Sequence, residues 1–165
     1  MNEPPRIWHW IVAACMLLAI WLQAVIAHRL QLGPGQPDFP LTVALVTGAL
    51  GGPLSGATSG FFAGLATAGL TGEAVGTIFV SRTSLAWSAG ALVRLWIRPG
   101  ILVAVTSAGL GTMASGLLLA LAAPSLGATN ILLSTLAETP LNMASALPVA
   151  WLLALPRFAG ASRGS

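Results

Sequence analysis

The chain has no lysine and no tyrosine, a single cysteine, two histidines and four acidic residues in 165 positions. Each shortage excludes something. One cysteine, Cys15, allows neither an internal disulfide nor a thiolate metal cluster. His9 and His28 have no helical i+4 partner that could share an ion, so no metal and no cofactor are expected. There is no HExxH, no phosphate-cradling glycine loop followed by lysine, and no set of serine, histidine and carboxylate that could meet, so an enzyme is not expected. The seven basic residues are all arginine and stand singly. The high pI of about 11.2 therefore does not imply nucleic-acid binding, which requires a basic patch. Charged residues make up only 7% of the chain against 56% hydrophobic, with a mean hydropathy of +0.87. That composition excludes an ordinary soluble domain and indicates an integral membrane protein whose main partner is the lipid bilayer.

What is abundant is glycine at a fixed interval. Gly48, Gly52, Gly56, Gly60, Gly64, Gly72 and Gly76 keep a four-residue beat, and Ala68 fills the missed step. Pro53 splits the beat, because proline lacks the N–H of a helix interior but suits a first turn; one helix should end near Gly51 and the next begin at Pro53. Gly56, Gly60, Gly64 and Ala68 then form one ridge of the second helix. Interior glycine costs about 1 kcal/mol relative to alanine, so the ridge needs a packing reason. In lipid, small-xxx-small ridges let helix backbones approach closely. The ridge is either a packing face within the chain or a docking face for a partner's helix.

The apolar runs predict a single all-α domain over 1–165, a compact bundle of about six transmembrane helices near 7–27, 39–52, 53–70, 76–96, 101–123 and 138–156. The first run exceeds the 7 to 15 or so apolar residues of a secretory signal, and further spans follow it. Val12-Ala13-Ala14-Cys15 looks like a lipobox, but the main apolar run lies after the cysteine. The stretch 31–40 reads as a loop from its glycines and prolines, with Asp38 in it. The second span is short, and the last is expected to start near Pro140 after a short separate helix or a kinked first turn. The fifth carries its own small face at Ala104, Ala108, Thr112, Gly116 and Ala120, so two small-faced helices are available to pack on one another.

Arginine placement orients the bundle. Six spans put Arg6, Arg94, Arg98, Arg157 and Arg163 on one side and Arg29 and Arg82 on the other, which places both termini in the cytoplasm. Arg82 and Glu138 are the expected polar pair, both near the outer ends of their spans, because ionisable groups in a span seek a partner or a watery cavity. Glu73 and Asn142 are candidates for the same polar cluster. The bland alternative is that each snorkels to water or caps a helix.

Pro37-Asp38-Phe39-Pro40 opening a span, Gly52-Pro53-Leu54-Ser55-Gly56, Gly60-Phe61-Phe62-Ala63-Gly64-Leu65, and Gly72 to Gly76 before the next helix resemble the rod shape-determining MreD family. The last span, with Asn142 near its start and Arg157 after its end, is similar to that family's C-terminal helix. The resemblance is strongest over about 37–96. It implies a non-enzymatic component of the bacterial inner membrane, both termini cytoplasmic, that works in the cell-elongation machinery with MreC and, through it, MreB and the synthases of lateral-wall peptidoglycan. One departure stands out: many members carry an acidic residue where this chain has Ala68, and Glu73 is the candidate replacement. The rival reading is the substrate-binding S component of a vitamin or metal uptake transporter, also a small six-helix bundle that docks a partner through small residues. Fold likeness cannot separate the two; a pocket on the outer side, lined by polar and aromatic residues, is the discriminator.

Overall fold

The computed structural model describes residues 6–72, 75–96, 99–122 and 127–161. They form six α-helices: α1 (Arg6–Val25), α2 (Phe39–Gly51), α3 (Pro53–Thr71), α4 (Val75–Trp96), α5 (Ile101–Ala122) and α6 (Ala128–Ala161), with a 3-10 turn at Ala27–Arg29. The α2–α3 break falls where the backbone chemistry demands it. Gly52 takes a φ of +92°, open to glycine, and Pro53 begins α3 where its missing N–H costs nothing. Helix α6 departs from expectation. It starts at Ala128, not near Pro140, and continues through Pro140, Pro148 and Pro156. Interior proline is locally unfavourable, but packing along α5 and α2 holds the helix together across all three.

The short second segment is the centre of the molecule. Helix α2 touches each of the other five α-helices, and every residue from Pro40 to Leu50 is buried. Its 13 residues span about 20 Å, less than the roughly 30 Å of a hydrocarbon core. The chain before it makes up the difference by entering the bundle. Gly35 and Pro37 are buried, and a Cβ on Gly35 would lie 2.7 Å from the backbone nitrogen of Glu138, so the loop rests directly on α6. Irregular backbone survives at such depth only where protein surrounds it.

Thr47 lies in this core, fully buried, with an unpartnered hydroxyl. Thr47→Val removes that desolvated group at nearly constant shape and should raise stability by about 1 to 2 kcal/mol. A lowered midpoint of unfolding in denaturing detergent would show that Thr47 has a role in α2 beyond filling space.

The glycine ridge of α3 faces α4. A Cβ on Gly60 would sit 2.6 Å from the Arg82 carbonyl oxygen and 2.8 Å from Thr83 Cα, and one on Gly64 would sit 2.8 Å from Phe79 Cα. Gly56 meets the carbonyl of Ala86, which Gly48 of α2 also approaches, so three backbones converge there. Ala68 continues the ridge and is buried. The small face of α5 packs elsewhere: Gly116 lies against the Thr135 side chain and Thr112 bonds to Asn142, both on α6. The two small faces thus serve two separate interfaces, α3 with α4 and α5 with α6, and do not face each other. Small-residue spacing marks a face for close approach but carries no information about which helix fills it.

The exterior is that of a membrane protein. Leu17, Trp21, Leu54, Phe62, Leu102, Leu110, Leu121 and Trp151 all point outward. Helices α1, α5 and α6 are each long and apolar enough to cross a membrane by length and composition. Contacts also fix the two ends of the bundle. Trp8, at the start of α1, is fully buried and donates its indole N–H to the Leu153 carbonyl near the end of α6, while Gly51, at the end of α2, lies against the same indole. The start of α1 and the ends of α2 and α6 therefore share one end.

Candidate functional site

The other end holds the polar residues, and they are organised by the start of α2. A helix N-terminus leaves backbone N–H groups without intrahelical partners, which is costly when the terminus is buried. Here every one is accounted for. The Asp38 N–H donates to Asn142 Oδ1 of α6 at 2.7 Å, and the Phe39 N–H donates to Gln23 Oε1 of α1 at 3.0 Å. Pro40 has no N–H to satisfy. The Leu41 N–H donates at 3.0 Å to the Asp38 carboxylate, which thereby acts as the N-cap. The Thr42 N–H returns to the Asp38 carbonyl at 3.0 Å, and the Thr42 hydroxyl donates to the same oxygen.

The capping carboxylate also takes the forked guanidinium of Arg82 from α4. Arg82 Nη1 donates to Asp38 Oδ1 at 2.8 Å, and Nη2 pairs with Oδ2. The Arg82 side chain is only 9% exposed and that of Asp38 18%, so the pair is largely withdrawn from solvent. Two parallel bonds give such a pair its geometric specificity. Asn142, fully buried, adds α5 by donating Nδ2–H to Thr112 Oγ1 at 2.9 Å, and Thr112 donates onward to the Ala108 carbonyl. One connected set of bonds thus joins α1, α2, α4, α5 and α6.

Arg82 and Glu138 do lie in one place, but the partner differs from expectation. Arg82 gives its fork to Asp38, while Glu138 lies within electrostatic range of both and near the backbone of Gln36. Asn142 joins the cluster. Glu73 falls outside the described residues. Asp38, Gln23 and Thr112 carry more of the network than sequence reasoning assigned them. For Asp38 a signal existed: an aspartate just before an apolar run, with proline in the first turn, is a helix-start signature.

Above the network lies a cavity of about 560 Å³ to which all six helices and the 31–38 loop contribute. Asp38, Arg82, Glu138, Gln23 and hydroxyls from α3, α4, α5 and α6 line it. Its walls contain no aromatic side chain among the described residues, so it meets only the polar half of the expected solute-site pattern. Among the described residues no three His, Cys, Asp or Glu side chains come together as metal ligands. Chemically the region is a latch around Asp38 with a polar chamber beside it, lined by amide, hydroxyl and carboxylate groups. Comparison with protein-family models, with curated proteins and with solved structures returns no match to this chain.

Proposed function

We propose that the chain is a non-enzymatic, multi-pass component of the bacterial inner membrane that acts in the cell-elongation complex, scaffolding MreC and, through it, MreB and lateral-wall peptidoglycan synthesis. The observation that carries this reading is where the resembling residues sit. Asp38 caps the central helix, Gly52 and Pro53 make the α2–α3 break, and Gly56, Gly60 and Gly64 seat α3 on α4. The residues shared with the MreD pattern are thus the ones that hold the bundle together. A second reading, the solute-binding S component of an uptake transporter, is favoured by the cavity alone. Depletion in the native host separates them: loss of rod shape or of width control, with MreC lost from its complexes, supports the scaffold. A growth defect cured by one vitamin or metal, with normal shape, supports uptake.

Topology is part of the same proposal. In this reading both termini lie in the cytoplasm and the cavity faces the outer side. Arg82 bonds inside the bundle, so the interfacial arginines bias the orientation more strongly than a simple count indicates. Cytoplasmic reporters fused at both termini and near 94–99 should be active, and those at 33–37 inactive. An active reporter at 33–37 would reverse the assignment.

A further inference from the structure

The cavity beside Asp38 has a charge and hydrogen-bond pattern that the latch does not use. Asp38 and Arg82 pair through a two-bond fork, which leaves Glu138 as the carboxylate in the wall that has no guanidinium fork of its own among the described residues. The hydroxyls around it are biased in one direction. Ser81 donates its hydrogen to the Ile78 carbonyl, and Ser134 and Thr135 both donate theirs to Ile131. A hydroxyl that has spent its hydrogen on its own helix offers only oxygen lone pairs to the cavity. Thr67 of α3 also lines the cavity, but its hydroxyl oxygen is itself shielded, so the spent hydroxyls that face the space come from α4 and α6.

We propose that this cavity is a binding site for a small organic cation rich in N–H and O–H donors, a protonated amine of roughly hexose size. Glu138 is its counter-ion, and Ser81, Ser134 and Thr135 are its hydrogen-bond acceptors. A volume of about 560 Å³ is in the range of small-molecule sites and far exceeds what a single desolvated inorganic ion fills. An anion is disfavoured, because the guanidinium that would attract it is already engaged by Asp38 and the other ionisable group in the wall is the Glu138 carboxylate. The site is compatible with either reading of the protein's role, as the regulatory site of a scaffold or the solute site of an uptake subunit.

The test uses the purified full-length protein in lipid nanodiscs, in potassium chloride, with titration calorimetry and thermal unfolding as readouts. N-methylglucamine, sorbitol and gluconate form a size-matched cationic, neutral and anionic series; ethanolamine and putrescine extend the cations. Binding should be at least tenfold tighter for an amine than for its neutral counterpart. Glu138→Gln should weaken it by roughly ten- to a hundredfold, the scale of a hydrogen bond to a charged group. Ser81→Ala, which removes one acceptor from the wall, should weaken it several-fold with little change in the ligand-free unfolding midpoint, a split that a purely structural serine would not give. Should Glu138→Gln fail to fold, Ser81→Ala carries the test. The proposal is overturned if sorbitol or gluconate binds as tightly as the amines, if sodium chloride alone reproduces the stabilisation, if no amine binds, or if both variants bind like the parent.

Discussion

Arg82→Met should destabilise the protein by about 3 to 5 kcal/mol, the scale seen when one member of a buried ion pair is removed. The loss comes less from the missing attraction than from what remains. Asp38 would keep a largely buried carboxylate with the Leu41 N–H as its remaining donor among the described residues, at the helix start to which α1 and α6 are also tied. The disturbance should therefore spread through α2 to every helix packed on it. Arg82→Lys should fall between parent and Met, since an ammonium keeps the charge but cannot form the fork. Removing both charges with Asp38→Asn and Arg82→Met should recover part of the loss, because asparagine still caps α2 and no unpaired ion is left. Midpoints of unfolding in denaturing detergent and the level of protein in the membrane measure these effects. An Arg82→Met variant with the parent's midpoint would show that the latch does not hold the bundle.

Gly60→Leu should be comparably damaging. A leucine forced into a fitted core usually costs about 1 to 3 kcal/mol. Here the cost should reach or exceed the upper end, since the first added carbon already meets the backbone of Arg82 and Thr83, which cannot rotate away as a side chain can. Gly60→Ala should be milder than leucine, but with a Cβ 2.6 Å from a carbonyl oxygen it should still be clearly destabilising. Gly69 provides the control on the same helix: nothing lies within 4 Å of its would-be Cβ, so Gly69→Ala should be neutral or stabilising by up to about 1 kcal/mol. Because the ridge is occupied by α4, Gly60→Leu should reduce accumulation in the membrane and not selectively release a partner. Normal accumulation with loss of binding to MreC, the proposed partner, would instead mean that the ridge is offered to another protein.

Local chemistry explains which features were legible in the sequence. Apolar length and scarce charge indicate helices in a bilayer, and proline beside glycine at 51–53 divides one helix from the next without help from distant residues. The four-residue beat of small side chains likewise fixes that α3 has a close-packing face, because an i, i+4 ridge is a property of one helix alone. A polar set near one end of the bundle also follows, since Arg82, Glu138 and Asn142 must be accommodated somewhere in a protein with so little water-facing surface.

Which groups meet was settled only in three dimensions. The α3 ridge could have faced any of five helices, and its seat on α4 follows from the way α2 threads the centre of the bundle. Arg82 has two carboxylates within reach, and sequence reasoning pairs it with Glu138, since both stand near the outer ends of their spans whereas Asp38 reads as a loop residue. Asp38 takes the fork because it is anchored as the cap of α2, with its carboxylate already aimed into the bundle, whereas Glu138 sits beside the loop backbone at Gln36. Helix periodicity orders side chains along a single helix axis. The pairing of Asp38 with Arg82, 44 residues apart, depends on how whole helices pack, and that is set by the summed burial of all six.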